Sequence, residues 1–169
     1  MRISVDAIKA LREKTGAGVM DCRNALLECN GDLDKANEAL KKKGLAKAVR
    51  KASRVTSQGI IEAYIHHGGQ VGAIVEVNCE SDFVARIDEF KELAHNLAMQ
   101  VTATAPIYIG NDDFREETSV SPEQACLLLQ PFIKDPSRNV QDLISETIAK
   151  VGENITVKRF ARFDVSEPR

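Results

Sequence analysis

Three kinds of residue group could bring chemistry to this sequence. The first is Cys22, Cys29, Cys79 and Cys126, with His66, His67 and His95. A nucleophilic thiol needs a base and an orienting group together, and structural zinc needs four close ligands. No two cysteines form a C-x-x-C pair, and none stands at zinc-like spacing from a histidine. Free cysteine commonly packs as a small hydrophobe, so four inert thiols are the expectation. A Cys79 nucleophile served by His66 or His95 is the enzymatic alternative. The second group would be a phosphate-cradling loop. The sequence has no G-x-x-x-x-G-K-[ST] and no G-x-G-x-x-G, so no direct nucleotide binding is expected. G-x-S-x-G and H-E-x-x-H are missing too, and no catalytic residue, metal or cofactor is predicted. The third group is the stretch Val77-Asn78-Cys79-Glu80-Ser81-Asp82-Phe83-Val84-Ala85-Arg86. An apolar strand runs here into a polar turn that carries Asp82 and Phe83. A large ring beside a carboxylate at a strand end is either a core anchor or a wedge for a partner. Phe is usually buried, which favours the anchor.

The elements that must position these residues follow from composition and periodicity. The chain has 169 residues, 43% of them hydrophobic. That suffices for one ordinary domain, or a small module plus a compact core. With 23 basic and 25 acidic residues the formal charge is −2, so no global attraction to nucleic acid or anionic membrane exists. No run of 18 apolar residues occurs, and no membrane span is predicted. The start, Met1-Arg2-Ile3-Ser4-Val5-Asp6, lacks the apolar stretch of a signal peptide, so a cytoplasmic protein with reduced thiols is expected.

Residues 1–45 read as a three-helix module. Ser4 is an N-cap, with Ile3 and Ile8 placed for a hydrophobic staple, and Gly16 is a C′ glycine. A second helix runs from about Gly18 to Cys29, burying Met20, Ala25 and Leu26 or their neighbours. Asp32 caps a third with Leu33, Ala36 and Leu40 inward, closed by Gly44. Residues 46–56 read as a basic linker. Seven positive charges lie between Lys41 and Arg54, which makes RNA or ribosome binding the alternative function. No stacking aromatics accompany them, so nucleic acid is not the expected partner.

Residues 57–169 read as an α+β core. Ile61, Ala63 and Ile65 alternate in one strand and Val71, Ala73, Val75 and Val77 in the next, with Gly68-Gly69 as the turn. A helix from Ile87 or Asp88 to about Thr104 carries Phe90, Leu93, Ala94, Leu97 and Ala98. Residues 105–120 read as irregular, with an extended piece at 107–109. Pro122 opens a helix over about 122–130. Ser137 caps a helix of about 139–151 ended by Gly152. A last strand spans Ile155–Asp164, where Arg159 and Phe160 break the alternation and suggest that one face meets a partner or another layer. The expected architecture is a three-stranded antiparallel sheet with helices packed on it.

Four segments then carry a resemblance. Residues 78–86, Asn-Cys-Glu-Ser-Asp-Phe-Val-Ala-Arg, resemble the Thr-Asp-Phe-Val region of the elongation factor Ts family. Residues 11–22, Leu-Arg-Glu-Lys-Thr-Gly-Ala-Gly-Val-Met-Asp-Cys, are similar to that family's N-terminal signature. Gln130-Pro131-Phe132-Ile133-Lys134-Asp135-Pro136-Ser137 is a third match, and Gly152-Glu153-Asn154-Ile155 leading to Arg159-Phe160 is a fourth. All four fall in the family's order. The resemblance implies a ubiquitin-associated-like N-terminal module on an α+β core. It implies a guanine nucleotide exchange factor that binds elongation factor Tu, GDP-bound and nucleotide-free. Ser81, Asp82, Phe83 and Val84 would form the tip that disturbs the partner's magnesium site. Arg12, Val19 and Met20 would grip its nucleotide-binding domain. Ser81 stands where Thr is usual and Val19 where Met is common. Longer members carry a duplicated core. This chain resembles the short form with one copy, and exposed sheet edges make a homodimer the expected assembly.

Overall fold

The computed structural model describes residues 3–115 and 119–166; the expected irregular stretch 105–120 therefore lies partly outside the described residues. Helices α1 (Val5–Thr15), α2 (Val19–Glu28) and α3 (Leu33–Lys51) come first. Ser4 Oγ accepts the Ala7 N–H, and Gly16 ends α1 at φ 65°, a left-handed conformation that glycine adopts without penalty. Cys22, Ala25 and Leu26 share one face of α2 and pack with Leu11 and Ala36. Met20 lies two positions from Cys22, on the far side of the helix, and is 62% exposed. The expectation that Met20 is buried is thereby corrected.

Helix α3 does not stop at Gly44. It continues to Lys51, with Gly44 buried inside it. A Cβ at position 44 would sit 3.3 Å from the Ala149 side chain. The glycine is therefore a point of close approach to a later helix, not a terminator. Ala36 belongs to the N-terminal cluster and Ala48 to the main core, so α3 spans both. The basic run is largely absorbed locally. Lys43 and Lys47 flank Asp21, Lys51 donates to the Gly152 carbonyl, and Arg54 pairs with Glu80.

The hairpin follows as β1 (Gln58–Ile65) and β2 (Val71–Cys79), with Gly68 and Gly69 both at positive φ in the turn. Helix α4 (Asp82–Arg86) is one short turn, and α5 (Asp88–Thr104) buries Phe90, Leu93, Ala94, Leu97, Ala98 and Val101. Helix α6 (Pro122–Ala125) is shorter than the sequence suggested. A 3₁₀ turn at Leu127–Leu129 replaces its second half, where the backbone of Leu127 and Leu128 bonds back to Tyr108 and Ile109. The small hairpin β3 (Pro131–Phe132) and β4 (Asp135–Asn139) precedes α7 (Val140–Val151). Ser137 lies within β4; Asn139 caps α7 instead, in a reciprocal capping box with Asp142.

Strand β5 (Ile155–Asp164) completes an antiparallel sheet of order β1-β2-β5, and the fold is α+β. Its register shifts between Glu76 and Val77, which pair with Arg159 and Val157. Lys158 is thus the extra residue of a bulge, and this explains the broken alternation. Val157 and Phe160 both face the helices, opposite Val77 and Val75, while Ala161 and Phe163 turn outward. The same geometry places Ile61, Ala63 and Ile65 on the outer face. Ile61, Ile65, Ile74 and Phe163 are all exposed there.

Candidate partner-binding site

Strand β2 delivers Cys79 into the core, and the next two residues turn the chain outward. Ser81 is the N-cap of α4, its hydroxyl accepting the Val84 N–H at 3.4 Å. Val84 and Ala85 are buried in the main core. At 100° per residue this leaves Asp82, Phe83 and Arg86 on the outer side. Phe83 is 74% exposed, so the side chain that anchors the turn is Val84. The structure therefore divides the four expected tip residues. Asp82 and Phe83 face solvent, Ser81 is half-buried and fully hydrogen bonded, and Val84 supports the turn from beneath.

Asp82 pairs with Arg86 at 2.8 Å, both side chains largely exposed. An exposed pair of this kind contributes about 0–1 kcal/mol, so an approaching cation displaces Arg86 at little cost. Behind the tip, the Cys79 thiol donates to the Ser81 carbonyl at 3.2 Å. Burial, with help from the nearby Glu153 and Glu80 carboxylates, pushes this thiol up to about 11. A thiol so held is neutral near pH 7 and works as a hydrogen-bond donor, not as a nucleophile. His95 bonds Glu62 and His66 meets Tyr64, whereas the Cys79 thiol is turned to the Ser81 carbonyl. Sequence reasoning passed over the carboxylate that holds Ser81. Glu153 accepts both the Ser81 N–H (2.9 Å) and its hydroxyl (2.6 Å). The only signal for it was its place in the Gly152-Glu153-Asn154 motif.

The second expected surface is the α1–α2 turn. Arg12 is exposed on the last turn of α1, and Val19 and Met20 are exposed on the first turn of α2. Gly18 caps α2 without a side-chain hydrogen bond. The third motif is structural: the buried Gln100 bonds the Pro131 carbonyl and receives the Ile133 N–H. A cleft of about 660 Å³ lies among the α1–α2 turn, α3, β4 and α7 and includes no tip residue. Its lysines and acids pair with one another, as Lys43 and Lys47 do with Asp21.

Among the described residues no three His, Cys, Asp or Glu side chains gather as metal ligands, and no helix is long and apolar enough to cross a membrane. What the molecule presents is two exposed apolar surfaces, at Phe83 and at Val19 and Met20, on one α+β body. The profile of the family described as Elongation factor TS matches residues 27–124. The chain is 48% identical to Elongation factor Ts of Moorella thermoacetica, over 98% of this chain and 96% of that protein. It is likewise 48% identical to Elongation factor Ts of Thermotoga maritima, over 99% and 98%, and 45% identical to that of Syntrophomonas wolfei, over 98% and 91%. The chain belongs to the elongation factor Ts family.

Proposed function

We propose that Asp82 and Phe83 enter elongation factor Tu beside its magnesium and phosphate-binding loop, while Arg12, Val19 and Met20 hold its nucleotide-binding domain. As a member of its family the chain is a guanine nucleotide exchange factor of translation elongation, work that belongs in the cytoplasm. It makes and breaks no covalent bond. A GTPase grips GDP through loop amides and a magnesium ion bridging the phosphates. A ring forced against that loop, with a carboxylate near the ion, weakens both grips. The coupling is reciprocal, so GDP weakens the complex by the factor with which the complex weakens GDP. Emptying a nearly full site takes roughly 10⁴-fold differential affinity, about 5.5 kcal/mol. Two side chains do not supply all of that, which is why the N-terminal surface must contribute.

The observation that carries this reading is the 74% exposure of Phe83 on a turn whose own anchors are buried. The test is release of a labelled GDP from elongation factor Tu. Wild type accelerates it, and Phe83→Ala should do so far less; equal rates would refute the wedge. The RNA alternative is weakened because four of the seven cations between Lys41 and Arg54 already have partners within the chain.

The homodimer is read onto the outer sheet face rather than onto strand edges. Ile61, Ile65, Ile74 and Phe163 form an exposed apolar surface there, beside the Glu76–Arg159 pair. A second copy of the same face is a complementary cover for it. Sedimentation equilibrium checks this: Ile61→Lys should move the protein to monomer, and an unchanged mass would place the dimer contact elsewhere.

A further inference from the structure

We infer that Glu153, with Asn154 beside it, is a positioning residue for nucleotide exchange: it fixes the angle at which the 82–86 turn presents Phe83 and, with its neighbours, ties that turn to the end of α3. This rests on the reading of Asp82 and Phe83 as the exchange tip. Helix α4 has only five residues, far too few to persist by its own hydrogen bonds. Its shape must come from what holds its first residue. Every polar group of Ser81 is occupied. The N–H and hydroxyl both donate to the Glu153 carboxylate, at 2.9 and 2.6 Å. The carbonyl accepts the Cys79 thiol at 3.2 Å and the Ala85 N–H at 3.3 Å. Bonds to a charged acceptor are about twice as strong as neutral ones, so the carboxylate is the dominant restraint.

Glu153 arrives from a different element. It follows Gly152, which ends α7 in the left-handed conformation at φ 82°. The same turn grips two more segments. The Asn154 N–H donates to Glu80 at 2.6 Å, immediately before Ser81. The Asn154 side-chain amide donates to the carbonyls of Arg54 (2.9 Å) and Ala52 (3.3 Å), at the exit of α3. Lys51 donates to the Gly152 carbonyl, and Arg54 pairs with Glu80 at 3.6 Å. Asn154 is 2% exposed, so this is an interior junction. Three residues thus join the end of α7, the root of the tip and the end of α3. A tip that must push on another protein without being pushed back needs such a root.

The experiment measures the rate of labelled GDP release from elongation factor Tu against factor concentration. It gives a maximal rate and a half-saturating concentration for wild type, Glu153→Ala, Glu153→Gln, Phe83→Ala and the double variant Phe83→Ala/Glu153→Ala. Glu153→Ala should lower the maximal rate about tenfold, the order of one hydrogen bond to a charged group, and leave the half-saturating concentration near wild type. Glu153→Gln, which keeps an acceptor for the hydroxyl, should fall between. In the Phe83→Ala background, loss of Glu153 should slow release no further, because Glu153 acts only through the ring. If the two losses add, or half-saturation and maximal rate shift together, Glu153 merely supports the fold and the inference fails. A Glu153→Ala as fast as wild type, with Phe83→Ala slow, also overturns it while sparing the tip. If Phe83→Ala is itself as fast as wild type, the tip reading falls and this inference with it. Should Glu153→Ala not fold, Glu153→Gln decides by the same criteria.

Discussion

The two surfaces assigned to the partner are held in opposite ways. The tip at Asp82–Phe83 stands on a carboxylate clamp, a buried thiol and two buried apolar side chains. The α1–α2 turn also has a buried thiol, Cys22, which donates to the Ala17 carbonyl at 3.7 Å, but no carboxylate clamps its backbone. Its helix starts at a glycine cap without a side-chain bond. The turn itself is tied by Thr15, whose hydroxyl bonds the Leu11 carbonyl at 2.7 Å and receives the Ala17 N–H at 3.2 Å. It presents Met20, an unbranched and adaptable side chain. The difference separates two tasks. A lever must keep its shape under load, whereas a grip gains from conforming to the surface it meets.

The sharpest way to break this contrast is to remove the lever and the grip separately. Phe83→Ala should cut the maximal rate of GDP release by roughly thirtyfold or more, the scale of a buried aromatic hot spot. Binding of the partner, followed by calorimetry, should weaken less than release does. If binding collapses and the maximal rate survives, the tip is a grip and the comparison inverts. Next in size is Gly44→Val. The added methyl groups would crowd Ala149 where α3 crosses α7, and overpacking of this kind costs about 1–3 kcal/mol. A lower melting temperature is expected, with loss of exchange at partner concentrations that saturate the wild type. An unchanged melting temperature would mean that α3 and α7 do not meet as described.

The hairpin and the helix over 88–104 were legible because each carries an uninterrupted period, 2 or 3.6; the last strand was legible despite the bulge at Lys158 that breaks its alternation. Gly44 was misread because a glycine at the end of an apolar stripe looks the same whether it stops a helix or lets another one approach. Only the presence of Ala149 across the gap decides. What covers the outer sheet face was not legible, for a related reason. Ile61, Ala63 and Ile65 alternate as cleanly as the residues of β2, and periodicity says that a face is apolar without saying which body covers it. Asp82 and Phe83 were visible as a pair, but physics alone leaned toward burying the ring. The structure gives that task to Val84, one residue along. Glu153 lies 72 residues from Ser81, and nothing local in the sequence joins them.

A smaller effect is expected from Met20→Ala. The half-saturating concentration of factor should rise about five- to tenfold, as for a peripheral interface side chain worth about 1 kcal/mol or a little more, with the maximal rate kept. A fallen maximal rate would mean that the grip also levers.

The smallest effect is on the root of the grip, and it is reached through acid. Asp21 stands one residue after Met20 and receives Lys47 at 3.2 Å and Lys43 at 3.3 Å, joining α2 to α3. The Lys47 ammonium, hydrogen bonded to it, holds its carboxyl below the ordinary 3.8; partial burial opposes this and Lys43 adds to the drop. A carboxyl lowered in the folded state binds a proton less readily there than in the unfolded chain. Its contribution is therefore complete above the ordinary carboxylate range and is lost as pH falls through the lowered folded value. Exposed pairs of this kind contribute about 0.2–1 kcal/mol, so Asp21→Asn should cost no more than that at pH 7. The variant's stability should converge with wild type as pH falls through the lowered folded value, where Asp21 too becomes neutral. Urea melts at pH 7 and through that acid range test this. Because the pair anchors the grip and touches nothing at the tip, Asp21→Asn should raise the half-saturating concentration slightly at pH 7 and leave the maximal release rate alone. A lowered maximal rate would show that looseness in the N-terminal helices reaches the lever.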